Sequence, residues 1–191
     1  MSSYRAQLND WLQEQAINVE KVLSIGKEEN DRKFFKSFTA REFTTLDNNP
    51  SLSPDILWDM NQPMVDWEGE MIFPVEWIGS FDVVIALNLF DYIYDPVTAH
   101  RILHELLNTT GELYVCYPFV YPVHNPPGID YLRYTPEGVK KLLSLAKFEI
   151  VDWQELYGSN RLTEFYWHEN MHARKRINHN IIGVVLKAKK I

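Results

Sequence analysis

The stretch Phe81-Asp-Val-Val-Ile-Ala-Leu-Asn-Leu-Phe-Asp-Tyr-Ile-Tyr-Asp-Pro96 leads through a periodic segment to Gly111-Glu-Leu-Tyr-Val-Cys-Tyr-Pro-Phe119, and this passage decides the fold class. Phe81 to Leu87 is a near-continuous apolar run of strand length, as expected of a strand covered on both faces. From Asp95 to Asn108 the residues Val97, Ile102, Leu103, Leu106 and Leu107 recur at helical spacing, and Thr110-Gly111 ends the helix. Glu112 to Phe119 is a strand again. Strand, helix, strand is a βαβ unit, with parallel strands and a right-handed crossover.

The alternation continues outward from this unit. Tyr4 to Ile17 reads as an amphipathic helix, with Leu8, Trp11, Leu12 and Ala16 near one face. Lys21 to Gly26 reads as a short strand closed by glycine, and Asp31 to Phe38 as a helix. Glu42 to Asp47 alternates and stops at an Asp-Asn-Asn-Pro turn cluster; Asp55 to Asp59 is a short third strand, and Pro63 to Gly79 is irregular. Thr135-Pro136-Glu137 opens a helix to about Lys147, with threonine as N-cap and proline in the first turn. Phe148 to Trp153 and Ile181 to Lys187 are the last strands. The expectation is one domain over residues 1–191 of the α/β class: a doubly wound, mostly parallel sheet with helices on both faces. An N-terminal helix falls within 1–18 and a helical rim or lid segment within 160–180.

Composition narrows the function. Of the 191 residues 46% are hydrophobic and 24% charged, which is a globular balance. A formal charge of −7 argues against bulk binding to nucleic acid or to an anionic membrane surface. Cys116 is the sole cysteine, so neither an internal disulfide nor a cysteine zinc cluster can form. No apolar run approaches the ~20 residues that span a bilayer. Residues 1–15 lack the apolar core of a signal peptide, and the expected compartment is the cytoplasm. The sequence leaves the oligomeric state open.

In a doubly wound sheet the ligand crevice lies at the carboxyl ends of the strands, where strand order reverses. Gly26 follows the first strand, and Asp47 ends the second about 20 residues later, the spacing at which a carboxylate accepts ribose hydroxyls. A full G-x-G-x-x-G is missing, and Glu28 and Glu29 would repel a pyrophosphate. A sulfonium cofactor without phosphate, S-adenosylmethionine, suits such a loop better than NAD. Asp59 at the third strand end is placed to accept from an adenine amino group, and Asn88 after the fourth faces the same crevice. Each has a plain alternative: Gly26 ends a strand, Asp47 and Asp59 cap turns, and Asn88 caps strand-end backbone.

Lys21 to Gly26, Arg32 and Phe35, Leu46-Asp47, Pro54 to Asp59, Phe81 to Pro96 and Gly111 to Phe119 together resemble the class I S-adenosylmethionine-dependent methyltransferases of the type 11 kind. Tyr121-Pro-Val-His124 with Asp130 to Gly138 resembles a loop-plus-helix signature of members often associated with polysaccharide gene clusters. The resemblance covers about residues 20–153. It departs at Ser24, where the family has an acid, at Lys27 and Glu28, where it has small residues, and at Tyr92, where histidine is common. It implies methyl transfer to a small-molecule or glycan hydroxyl, with Gly26, Asp47, Asp59 and Asn88 on the cofactor. A methyltransferase-like binding or scaffolding protein without transfer is the alternative.

His124 and the run Asp130-Tyr131-Leu132-Arg133-Tyr134 follow the fifth strand and are expected at the acceptor mouth. His124 is the first candidate for the base that removes a hydroxyl proton and Asp91 the second. Asp130, Tyr131, Arg133 and Tyr134 are candidate acceptor contacts, with an Arg133–Asp130 pair and core tyrosines as the structural alternative. His168-Glu-Asn-Met-His172 matches H-E-x-x-H, but no third ligand stands at a suitable spacing, so a zinc peptidase ranks third and no metal is expected. His100 and His104 lie one helical turn apart and are expected to be exposed.

Overall fold

In the computed structural model, which describes residues 3–26, 29–123, 129–158 and 181–191, the seven strands form one sheet. They are β1 (Ala16–Ile25), β2 (Ser37–Asp47), β3 (Ile56–Leu57), β4 (Phe81–Ala86), β5 (Leu107–Pro118), β6 (Phe148–Tyr157) and β7 (Ile181–Lys190). Their order across the sheet is β3-β2-β1-β4-β5-β7-β6. Pairing is parallel from β3 to β5, and β7 runs antiparallel to both β5 and β6. The α-helices are α1 (Ser3–Leu12), α2 (Pro96–Leu106) and α3 (Pro136–Leu145).

Successive strand side chains go to opposite faces, and here both faces are buried. Val22, Val83, Ile85, Cys116 and Val185 pack with Tyr4, Leu8, Trp11 and Leu12 of α1. Leu23, Val84, Ala86, Val115 and Leu186 pack on the other side with Ile102 and Leu103 of α2 and with Val139 and Leu143 of α3. Polar groups fix where the helices begin and dock. Asp95 accepts from Thr98 N at 3.1 Å and Thr135 Oγ1 from Gly138 N at 3.1 Å, each just before a proline that fills the first helical position. Trp11 Nε1 and Gln15 Nε2 both donate to Asp152 Oδ2 at 3.1 Å, which ties the end of α1 to β6. Gly183 is where α1 comes closest to the sheet: a Cβ there would stand 2.5 Å from the Tyr4 ring and 2.7 Å from the Tyr117 carbonyl oxygen.

Several element bounds differ from the sequence reading. Helix α1 stops at Leu12, and β1 starts at Ala16 rather than Lys21. Strand β2 starts at Ser37 rather than Glu42, because it pairs with β1 in register from Ala16↔Ser37 to Ile25↔Leu46. The helix expected over Asp31–Phe38 is a six-residue 3-10 turn, Glu29–Phe34. With so short a crossover no α-helix among the described residues covers the outer ends of β1 and β2, and Phe34, Phe38 and Phe43 stay half-buried there. Strands β6 and β7 continue to Tyr157 and Lys190 through their mutual pairing.

His100 corrects the sequence reading most sharply, being fully buried rather than exposed. Its Nδ1 lies 2.5 Å from the Pro96 carbonyl oxygen and its Nε2 2.7 Å from the Tyr117 hydroxyl. A carbonyl oxygen only accepts, so Nδ1 carries the hydrogen and Nε2 accepts from the Tyr117 O–H. The ring also packs against Phe90, with centroids 4.4 Å apart. Burial lowers its pKa to about 4. Between the ordinary value near 6.5 and that value the unfolded chain binds a proton that the folded chain refuses. Its contribution to stability is therefore intact above the unfolded pKa and falls as pH drops through this window. Urea unfolding at pH 7 and pH 4.5 should show a loss of about 2–3 kcal/mol from this group. The variant His100→Leu should be weaker at pH 7, and its acid loss should be smaller by that amount.

Candidate functional site

Strand order reverses between β1 and β4, whose carboxyl ends diverge and open a crevice. Gly26, just beyond β1, has φ +77° and donates its N–H to Leu46 O at 2.8 Å, so the chain leaves the sheet in a conformation that suits glycine. Asp47 ends β2, and its Oδ1 accepts from Asn49 N at 2.8 Å. Asp59 follows β3 and accepts from Asn61 N at 2.9 Å and Asn61 Nδ2 at 3.2 Å. Asn88 follows β4 with φ +53°, a left-handed conformation that asparagine tolerates better than most residues. All four line one cavity of about 330 Å³, together with Trp58, Met60 and Tyr92. The turn-capping bonds of Asp47 and Asp59 therefore coexist with a place on the cavity wall.

Asn88 is held from below. Its N–H donates to Cys116 Sγ at 3.2 Å, while its side-chain Nδ2 is buried without a hydrogen-bond partner. A buried amide donor in a cavity wall calls for an acceptor from a ligand or water. Asn88 and Tyr92 also line a second cavity of about 190 Å³, walled by Tyr4, Asp91, Pro118 and Tyr121, so the two spaces share one wall. Asp91 is only 3% exposed. The Tyr4 phenol is pushed well above its ordinary pKa, by burial first, then by the Cys116 thiol and by Asp91 and Tyr121, and it stays protonated at neutral pH.

The run after β5 divides differently from the sequence reading. Arg133 pairs with Asp130 through both terminal nitrogens, with Nη2 to Oδ2 at 2.7 Å. It also donates to the carbonyl oxygens of Leu132 at 2.9 Å and Pro122 at 3.3 Å. These bonds saturate the guanidinium and close the loop on itself, as in the structural alternative of an Arg133–Asp130 pair. Tyr134 is buried and donates its hydroxyl to Phe90 O at 2.9 Å, as in the alternative of core tyrosines. Tyr131 is half exposed; its N–H donates to Asp91 O at 2.7 Å and its ring meets Tyr94 edge-on.

His124, the 160–180 segment and the His168–His172 motif lie outside the described residues. Among the described residues no group of three or more His, Cys, Asp or Glu side chains could hold a metal, and no helix is long and apolar enough to cross a membrane. Sequence reasoning missed Tyr4, Arg5, Trp58 and Tyr92 as cavity residues, and Cys116 as the support of Asn88. The position of Trp58 and Tyr92 just after strands was the available signal; nothing in the spacing of α1 announces that its first turn roofs the second cavity.

No protein-family model and no curated protein sequence matches the chain. Solved structures match over nearly its whole length. An S-adenosylmethionine-dependent methyltransferase from Mesorhizobium loti is 12% identical, covers 99% of this chain and 98% of its own, and superposes with a TM-score of 0.59. The 1,6-didemethyltoxoflavin-N1-methyltransferase of Burkholderia thailandensis, with bound 1,6-didemethyltoxoflavin and S-adenosylhomocysteine, is 15% identical over 98% of this chain and 74% of that one, with a TM-score of 0.56. The [4+2]-cyclase SpnF is 16% identical over 96% and 80%, with a TM-score of 0.59. At these identities the likeness is one of fold: the chain has the Rossmann-like methyltransferase fold.

The clamp after β5 is open to measurement. Removing the guanidinium leaves the Asp130 carboxylate, 3% exposed, without its counter-charge. Arg133→Ala should lower the unfolding free energy at pH 7 by about 3 kcal/mol in urea. A loss below about 0.5 kcal/mol, the size of a surface substitution, would return Arg133 to the list of acceptor contacts.

Proposed function

We propose that the chain binds S-adenosylmethionine and transfers its methyl group to a hydroxyl of a small molecule or glycan. The observation that carries this reading is the convergence of Gly26, Asp47, Asp59 and Asn88, from four strand ends, on one cavity. The fold is shared with S-adenosylmethionine-dependent methyltransferases, which supports the same cofactor. The residues fit it. Asp47 is assigned to the ribose hydroxyls, Asp59 to the adenine amino group, and the buried Asn88 Nδ2 supplies a donor. The connection after β1 favours this cofactor over a dinucleotide. A short 3-10 turn has no α-helical N-terminus for a pyrophosphate, and Glu28 and Glu29 in the same connection carry negative charge.

When bound, the cofactor supplies a methyl group on a cationic sulfur, open to in-line displacement. The protein's share is to hold the acceptor oxygen against that methyl group and to take its proton. The second cavity, which shares Asn88 and Tyr92 with the first as lining residues, is assigned to the acceptor. Asp91 in its wall is assigned to proton removal, and so is His124, which follows β5 in the sequence. That base would take the proton of the acceptor hydroxyl while the oxygen is held for the methyl group that the cofactor would supply. A second reading, binding without transfer, is favoured by the absence of an α-helix after β1 and by a like fold that serves a [4+2]-cyclase.

Calorimetry with S-adenosylmethionine, S-adenosylhomocysteine and NAD should show binding of the first two alone. Charged hydrogen bonds to ribose contribute roughly 1.5–3 kcal/mol each, so Asp47→Ala should weaken S-adenosylhomocysteine more than about tenfold with an unchanged melting temperature. Binding of NAD alone, or full affinity in the variant, would sink the assignment.

With a panel of hydroxylated sugars and small phenols scored by homocysteine-product release, His124→Ala should lower turnover by about 10²–10⁴-fold at unchanged S-adenosylhomocysteine affinity. Turnover left intact moves the base to Asp91, to be checked with Asp91→Asn.

A further inference from the structure

Between β3 and β4 the chain throws out a small rigid turn. Val65 and Met71 face each other in an antiparallel bridge, and Asp66 organises the residues between them. Its Oδ1 accepts from Glu68 N and Glu70 N, both at 2.9 Å, and its carbonyl oxygen accepts from Gly69 N at 3.1 Å. Gly69 has φ +87°, which suits glycine at the corner. The turn holds Trp67 with 90% of its surface in solvent, ringed by Asp66, Glu68 and Glu70 and flanked by exposed Ile72 and Val75. A large aromatic side chain held outward by a hydrogen-bonded frame has the form of an interface anchor.

The helix-poor crossover after β1 leaves its counterpart. A groove of about 680 Å³ runs along residues 32–43, with Phe35, Phe38 and Phe43 as its floor and Arg32, Lys33 and Lys36 on its rim. The Arg32 guanidinium lies 3.2 Å from the centroid of the Phe43 ring, while its Nε is buried without a hydrogen-bond partner. The groove is cationic and aromatic in a chain whose formal charge is −7. Three acids and an indole on the turn thus match three cations and three phenyl rings in the groove. Indole and guanidinium planes stack favourably, and opposite charges at the rim set orientation.

We propose that a second copy of this chain seats its Asp66–Glu70 turn in the groove, with Trp67 between Arg32 and Phe38. Turn and groove are different surfaces, so the contact is head-to-tail and leaves one of each free at the ends of a pair. Association is salt-sensitive and extends beyond a dimer with concentration.

Sedimentation velocity of the full chain, from micromolar towards millimolar concentration, tests this. At low salt the weight-average mass should rise past that of a dimer, and high salt should lower it. Trp67→Ala, and separately the double variant Lys33→Glu with Lys36→Glu, should each return a monomer; circular dichroism and melting temperature should not change, since all three side chains are exposed. An equimolar mixture of the two variants should give a dimer and nothing larger, because only one competent turn and one competent groove remain. A wild-type chain that stays monomeric throughout, association that survives either variant, or a mixture that stays monomeric would each overturn the proposal.

Discussion

The carboxyl edge of the sheet depends on how the chain leaves β4. Within a few residues the backbone turns left-handed at Asn88, makes one 3-10 turn from Phe90 to Tyr92 and enters α2. Such a turn would be soft on its own, but several of its polar groups are taken by other parts of the fold. Cys116 of β5 accepts from Asn88 N, the Tyr134 hydroxyl donates to Phe90 O, and Tyr131 N donates to Asp91 O. Asn61, after β3, donates to Tyr92 O and accepts from Tyr94 N. Beneath it the Phe90 ring packs among His100, Tyr117 and Tyr134. Losing one of these contacts leaves the others to hold the loop.

That pinning gives the crevice its form. Asn88 and Tyr92 are the wall shared by the two cavities, so the wall is as fixed as the turn that carries it. Displacement at carbon needs donor and acceptor held at one distance and one angle, and a wall that does not move supplies both at little entropic cost. The left-handed Asn88 belongs to the same economy: a strained backbone persists where its surroundings over-determine it, and such places are found most often at working sites.

The strand-end rule made the first cavity legible. Gly26, Asp47, Asp59 and Asn88 were each named for standing just past an apolar or alternating run, and a parallel sheet brings such positions together whatever else the chain does. The same rule named Asp130, Arg133 and Tyr134. They also follow a strand, and there Arg133 pairs with the acid three residues away that its spacing offered, while Tyr134 donates to a carbonyl on the β4 exit that nothing in the sequence marks. His100 failed for the same cause. Its helical spacing from Ile102, Leu103 and Leu106 was compatible with burial, but a buried histidine needs both nitrogens satisfied, and one partner is Tyr117 on the next strand. The role of α1 was the least legible. Tyr4 reaches the second cavity by lying on Gly183, so that contact joins opposite ends of the sequence.

The position of β7 bears on how the protein comes into being. Among the described residues it is the last strand in chain order, yet it lies between β5 and β6 and is the only neighbour of β6 in the sheet. During synthesis on the ribosome β5 therefore keeps an open, apolar edge until residues 181–190 have emerged, and β6 has nothing to pair with. A nascent chain in that state carries a template for pairing with other chains. The finished sheet forms only after residues 181–190 have left the exit tunnel, so a holdase chaperone would have its longest period of engagement on this stretch.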